Sequence, residues 1–260
     1  MHRRDILTLV VCAPLAARAQ VVDLPDAINK AGRQRMLSQR MAKAWLALVH
    51  QTETRLAQST LDRSMALFDR QLVELKAFSP TPEIRTTYAS LEAAWSEYKS
   101  TLVGSAPSRA AVSALLKADA RVLALAHQGT LQYEAAMGRP VGKLVNVAGR
   151  QRMLSQRMAK FGYALALQQE VPTAKSEIDK ARSEFLAAME LLRRAPEATP
   201  GILDELALAD GQWLFFDLAL QRVRSGQTDR ARTLADLYVT SENLLSVMDR
   251  ITGQYAALSA

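Results

Sequence analysis

The chain has 260 residues, of which 49% are hydrophobic and 23% are charged. This composition excludes an intrinsically disordered chain and predicts one or two folded domains. The formal net charge of +7 favours anionic ligands or membrane headgroups over nucleic acid as partners. Aromatic residues are few, and alanine and leucine are abundant, which favours helices.

Residues 1–19 predict an export signal. Arg3 and Arg4 form a basic start, Ile6–Ala17 is apolar but too short to span a membrane, and an A-x-A cleavage motif ends at Ala19. The paired arginines fit a twin-arginine signal loosely, and we favour the ordinary secretory route. We therefore expect a periplasmic protein. The only cysteine, Cys12, lies within this signal, so the mature chain would contain no thiol.

The stretch AGRQRMLSQRMAK occurs twice, at residues 31–43 and 148–160. Its spacing of 117 residues indicates a duplicated domain, because solenoid units are much shorter. The correspondence continues outside the motif in Phe68 and Phe185, in Trp95 and Trp213, and in Gln132-Tyr133 and Gln254-Tyr255. We predict one domain at residues 20–138 and a second at 139–260.

Each copy divides into four helical stretches. In the first copy they begin at Pro25 and end near Gln51, extend from Thr54 to Phe78, begin at the Thr81-Pro82 cap and end near Val103, and finish at Met137. No stretch shows the alternation that is typical of strands. The predicted fold is all-α: two tandem four-helix bundles, related by a pseudo-two-fold axis and packed through their first helices.

A helical projection divides the arginines of the motif into two groups. Arg35 and Arg152 share a face with small residues, including Gly32 and Gly149. A glycine inside a helix costs about 1 kcal/mol relative to alanine, so another backbone or a ligand is expected to approach closely. The remaining motif arginines lie on a predicted solvent-facing edge: Arg33, Arg40, Arg150 and Arg157. The same pattern is also compatible with an ordinary core helix that has a solvated edge.

If the two motif helices pack together, Arg35 and Arg152 face each other. Two guanidinium groups in a dry interface repel, and a small planar anion between them would accept hydrogen bonds from both. The second copy would then supply the other half of one site, and the monomer would be an intramolecular pseudodimer.

The segments INKAGRQRMLSQRMAK and VNVAGRQRMLSQRMAK resemble the signature of the PilJ/NarX-type periplasmic sensor domain. The resemblance implies a four-helix bundle that dimerises through its first helix. In the nitrate/nitrite sensor kinases of this family, the dimer holds nitrate between symmetry-related arginines. By position, the resemblance places Arg35 and Arg152 at the anion, and the backbones of Gly32 and Gly149 close to it. We see no second span or output module, so a separate membrane-bound sensor or transducer is the expected partner.

The leading hypothesis is a periplasmic binding or sensing module for nitrate or nitrite. The alternative is a ligand-free accessory protein that docks to a membrane receptor or a pilus-linked chemotaxis transducer. We expect no enzymatic activity, no cofactor and no metal site, because His50 and His127 have no accompanying carboxylates at metal-binding spacing.

Overall fold

The computed structural model describes residues 20–226 and 230–258, which form eight α-helices and one 3₁₀ turn. The predicted export signal lies outside the described residues. The helices are α1 (Leu24–Val49), α2 (Thr54–Phe78), α3 (Pro82–Val103), α4 (Val112–Met137), α5 (Pro140–Ala166), α6 (Val171–Arg194), α7 (Pro200–Arg224) and α8 (Arg230–Ala257), with the 3₁₀ turn at Arg109–Ala111. None of the described helices is long and apolar enough to cross a membrane.

Local sequence explains where the helices begin. The side chains of Asp23 and Thr81 accept hydrogen bonds from backbone N–H groups in the first turns of α1 and α3, and Thr199 does the same for α7. Proline occupies the first turn of α1, α3, α5, α6 and α7, where its missing N–H costs no helical hydrogen bond.

The turn that follows each motif helix is the same in both copies. Helix α1 ends at Val49, two residues before the predicted end. Gln51 and Glu53 then adopt left-handed backbone conformations with φ of 56° and 47°, and Gln168 and Glu170 have φ of 57° and 48°. The duplication has therefore preserved the turn as well as the motif.

The helices pack as two four-helix bundles, α1–α4 and α5–α8, and α1 against α5 forms the most extensive helix contact. Helices α1 and α5 run in the same direction, because Ile28 lies against Gly142 at one end and His50 bonds to Tyr163 at the other. The predicted fold class is confirmed. Each bundle core contains a stacked pair of aromatic rings, Phe68 with Trp95 and Phe185 with Trp213.

Helices α1 and α5 are enclosed by their own bundles and by each other, so nearly their whole circumference is buried. Charged residues of the motif are therefore removed from water together with the apolar ones. Arg35, Lys43 and Arg152 are fully buried, and Lys160 is nearly so. Burial of charge at this density requires specific partners, and these partners define the candidate site.

Candidate functional site

Gly32 and Gly149 lie at the contact between the two motif helices. A Cβ atom on Gly32 would be 3.1 Å from Nη2 of Arg35 and 3.5 Å from Nη2 of Arg152. A Cβ atom on Gly149 would be 3.1 Å from Nη2 of Arg152 and 3.8 Å from Nη2 of Arg35. The two glycines therefore leave room for two guanidinium groups, which the structure brings together between α1 and α5.

Arg35, on α1, is held by two neighbouring helices, α4 and α5. Its Nη2 donates a 2.7 Å hydrogen bond to Oδ1 of Asn146 on α5, and its Nη1 lies 3.2 Å from Nδ1 of His127 on α4. Asn146 in turn donates to a carboxylate oxygen of Glu134. The Nε atom of Arg35 is buried and has no hydrogen-bond partner. Arg35 is thus anchored by neutral groups, with its Nε donor unused.

Arg152 occupies the equivalent position on α5, but its partners differ in charge. Its Nη2 donates a 3.0 Å hydrogen bond to the backbone oxygen of Asn29 on α1, and its Nη1 donates to the carboxylate of Asp249 on α8. Its Nε atom is also buried without a partner, as is Oδ1 of Asn29. Asp249 follows His127 by 122 residues, which is the spacing of the paired Gln-Tyr segments.

The electrostatics reflect this difference. Burial, together with the charges of Arg150 and Arg152, lowers the pKa of Arg35 to about 9. Burial and the charge of Arg33 lower the pKa of Arg152 to about 10, although Asp249 opposes the change. Burial and the charges of Arg35 and Arg150 lower the pKa of His127 to about 4, so this ring is neutral at pH 7 and accepts from Arg35. Positive charge at the site is therefore only partly compensated.

Comparison with known proteins bears on this arrangement. A family model described as "Type IV pili methyl-accepting chemotaxis transducer N-term", PilJ, matches residues 24–126 and 135–241. The chain belongs to the PilJ family. Searches of curated proteins and of solved structures found no significant match.

The two PilJ matches cover both motif helices but stop short of two site residues. The first match ends at residue 126, one position before His127, and the second ends at residue 241, well before Asp249. The residue pattern alone predicted no role for His127 and did not single out Asp249. The available signal was the 122-residue spacing, which aligns these two positions once the Gln-Tyr pairs are matched.

The outer arginines of the PilJ motifs are less exposed than the helical projection predicts. Each is partly exposed and forms an ion pair with a carboxylate of another helix. The pairs are Arg33 with Asp249, Arg40 with Glu242, Arg150 with Glu184, and Arg157 with Glu177. Arg33 and Arg40 reach across to the second bundle, whereas Arg150 and Arg157 bind α6 of their own bundle.

A second polar layer, which the residue pattern did not predict, is formed by the last residue of each motif. Nζ of Lys43 on α1 lies 2.9 Å from the hydroxyl of Ser241 and 2.6 Å from Glu242, both on α8. Nζ of Lys160 on α5 lies 2.5 Å from Asp119 on α4. Each lysine therefore links one PilJ motif to the fourth helix of the other bundle.

A groove of about 280 Å³ between α4, α5 and α6 connects Arg35 with the surface. His127 and Arg150 line it, and the carboxylate of Glu184 stands beside Arg150. In the other half, the equivalent groove is lined by Arg33, Arg40 and Glu242, and Asp249 lies there beside Arg152. Among the described residues, no group of three histidine, cysteine or acidic side chains could hold a metal ion.

Proposed function

We propose that this PilJ-family chain is an extracytoplasmic sensing module that binds one small anion, nitrate or nitrite, between Arg35 and Arg152. A single observation carries the proposal: two fully buried guanidinium groups lie together in the space that Gly32 and Gly149 leave open, and each has an Nε donor without a hydrogen-bond partner. A trigonal oxyanion matches the planar fork of arginine and can accept bonds from both groups at once.

Charge balance supports a monovalent ligand. Among the described residues, the cluster contains four arginines and three carboxylates, which leaves a surplus of one positive charge: Arg33, Arg35, Arg150 and Arg152 against Glu134, Glu184 and Asp249. One nitrate or nitrite ion would neutralise this surplus beside guanidinium groups that are removed from water. The uncompensated charge lies on the Arg35 side, where the groove reaches the surface.

Binding would change how the two bundles are joined. In the structure, Nη2 of Arg35 bonds to Asn146 and Nη2 of Arg152 bonds to Asn29, so each arginine ties its helix to the other motif helix. An anion between the guanidiniums would replace these bonds with bonds to itself. We propose that the resulting shift between α1 and α5 is the signal, because a ligand changes a conformation only through different contacts in the two states.

Calorimetric titration of the purified exported protein with nitrate and nitrite tests the proposal, with chloride and sulfate as control anions. We expect one anion per chain. Replacing either arginine with alanine removes a charge-assisted hydrogen bond of about 1.5–3 kcal/mol, or roughly ten- to hundred-fold in affinity. The Arg35→Ala/Arg152→Ala double variant should lose less than the sum, because the second change acts on a site that is already broken.

Arg157→Ala is the matched control, since it removes a motif arginine that pairs with Glu177 and does not lie beside Gly32 and Gly149. It should bind the anion like the parent. Equal nitrate binding by the parent and the double variant would contradict the site. If the parent binds no small anion, the alternative proposal of a ligand-free accessory protein gains support.

The partner is the second part of the proposal. The family model describes the N-terminal region of a chemotaxis transducer, which favours a membrane-bound sensor or transducer as the recipient of the signal. Cross-linking in intact cells, with and without nitrate, should capture a membrane protein in an anion-dependent amount. Capture that is independent of nitrate would favour the accessory role.

A further inference from the structure

The outward face of α7 carries large apolar side chains. Leu214, Phe215 and Leu218 are 70%, 63% and 51% exposed. Six positions follow one another at intervals of four, three, four, three and four residues, and therefore form one row along the helix. We name them the α7 row: Asp204, Leu208, Gly211, Phe215, Leu218 and Arg222. Four of them are exposed, and Gly211 and Arg222 are partly exposed.

The equivalent helix of the first bundle lacks this feature. Trp95 on α3 corresponds to Trp213 on α7, and the same spacing of 118 residues aligns Phe215 with Glu97 and Leu218 with Ser100. Leu208 aligns with Ser90, which is also exposed. The bundle therefore does not require apolar residues at these positions. Their presence on α7 calls for a partner surface, because exposed apolar area is costly in water.

Gly211 gives an independent indication of close contact. A Cβ atom at this position would meet no atom within 4 Å. Glycine inside a helix costs about 1 kcal/mol relative to alanine, and no contact among the described residues explains this cost at Gly211. One flank of α7 is tied to α6 by the Arg182–Asp217 and Arg193–Asp210 ion pairs. The row lies on the face that points away from the bundle, and Leu214 is exposed beside it.

The α7 row is complementary to itself when reversed. Its intervals read the same in both directions about residue 213, with an acid at one end and an arginine at the other. Two antiparallel copies would place Asp204 against Arg222, Leu208 against Leu218, and the ring of Phe215 over Gly211. A two-fold interface uses the same patch on both subunits, and this patch fulfils that condition.

We propose that the α7 row is the interface of a symmetric dimer of this chain, with the two α7 helices antiparallel. This association is separate from the α1–α5 contact inside each chain and does not depend on the anion site. Arg222 is available for it, because its only ion pair among the described residues is a 3.6 Å contact with Asp236. One pair of helices buries less than the roughly 1,600 Å² of a standard interface, so we expect dissociation in the micromolar range.

Sedimentation velocity of the exported protein, from low micromolar to several hundred micromolar, tests the proposal. The parent should shift from monomer to dimer and no further. Phe215→Glu introduces the residue type that α3 has at the equivalent position, Glu97. It should weaken dimerisation at least tenfold while leaving the helical circular dichroism unchanged. Val73→Ser is the matched control, because Val73 is equally exposed on α2 and should leave the dimer intact. A parent that stays monomeric throughout would overturn the proposal.

A charge exchange tests the antiparallel register. Asp204→Arg and Arg222→Asp should each weaken the dimer, because each places like charges opposite one another across the two-fold axis. The double variant Asp204→Arg/Arg222→Asp recreates both opposite-charge pairs with their direction reversed, and should recover most of the parent's dimerisation. If the double variant is weaker than either single variant, the proposed register is wrong.

Discussion

The two bundles of this molecule place charge differently along their fourth helices. Helix α4 offers Asp119 to the buried Lys160 and a neutral His127 to Arg35. At the equivalent positions, 122 residues later, helix α8 offers Ser241 to Lys43 and Asp249 to Arg152. Two identical chains in a homodimer cannot make this distinction. In the fused duplication, Arg152 contacts a carboxylate, whereas Arg35 contacts none among the residues that the structure describes.

The largest expected effect concerns the second polar layer, which Lys43 and Lys160 form. Asp119→Asn leaves Lys160 buried without its carboxylate, and breaking a buried pair in this way costs about 3–5 kcal/mol. Ser241→Ala removes one hydroxyl from Lys43, which keeps Glu242, and should cost about 1 kcal/mol. Urea unfolding followed by circular dichroism gives both values. Equal losses of stability in the two variants would show that Lys160 and Lys43 depend equally on these partners, which would contradict the difference between α4 and α8.

The second prediction makes the arginine sites alike. His127→Asp gives Arg35 a carboxylate in the position that Asp249 has beside Arg152. We expect a more stable anion-free protein and an anion affinity at least tenfold lower, because the new carboxylate competes for the same guanidinium. Calorimetry with nitrate checks the affinity, and His127→Asn serves as the neutral control. Unchanged affinity in His127→Asp would place the anion away from Arg35.

The third prediction separates the halves by pH. The pKa of His127 is lowered from 6.5 to about 4, so the unfolded chain binds more protons than the folded one between these values. The contribution of His127 to the free energy of unfolding should therefore fall as the pH is lowered from 6.5 towards 4, because protonation favours the unfolded chain. The pKa of Asp249 is lowered from 3.8 to about 2, mainly by Arg152 and Arg33 against the opposing effect of burial. Its contribution is present above pH 3.8 and is lost as the pH falls towards 2.

Thermal unfolding midpoints across this range distinguish the two groups. His127→Gln should flatten the profile above pH 4, and Asp249→Asn should flatten it below. Burial also lowers the pKa of His50, so His50→Gln is measured alongside to subtract its share. A profile above pH 4 that is the same with and without His127 would contradict the assignment.

The smallest expected effects belong to the outer arginines. Arg150 acts on Arg35 through charge alone, and Arg33 shares Asp249 with Arg152. Partly exposed ion pairs contribute about 0.2–1 kcal/mol, so Arg33→Ala and Arg150→Ala should each change anion affinity by only a few-fold. Isothermal titration at two salt concentrations checks this, since the effect of Arg150 should shrink with screening. A hundred-fold loss in either variant would mean that the outer arginines contact the anion.

The sequence predicted most of the fold, because its signals are local. The bounds of α2 and the ends of α3 and α4 agree with the structure, and the Thr81 cap forms the predicted hydrogen bond to the first turn. The helical projection also singled out Arg35 and Arg152, since the small residues around them mark the face that another helix approaches.

The partners of these arginines could not be predicted in the same way. Whether His127 meets Arg35 depends on how far α4 slides along α1, and nothing near either residue in the chain fixes this register. The buried lysines were missed for a different reason. Lys43 and Lys160 end an otherwise amphipathic pattern, and a terminal lysine is ordinarily exposed. These two lysines are buried because other helices surround α1 and α5 on every side, which local sequence does not show.

The link between the bundles has a consequence for how the site responds to its surroundings. Only Gly138 and Arg139 separate α4 from α5. This two-residue linker keeps the second motif helix close to the first. Such a short connection gives the two halves a local concentration in the millimolar range or above. Assembly of the arginine pair is therefore independent of how many copies of the protein a cell makes. Dilution, which would separate a homodimer, leaves both arginines of this chain in place, so occupancy of the proposed anion site would depend on the ligand concentration alone.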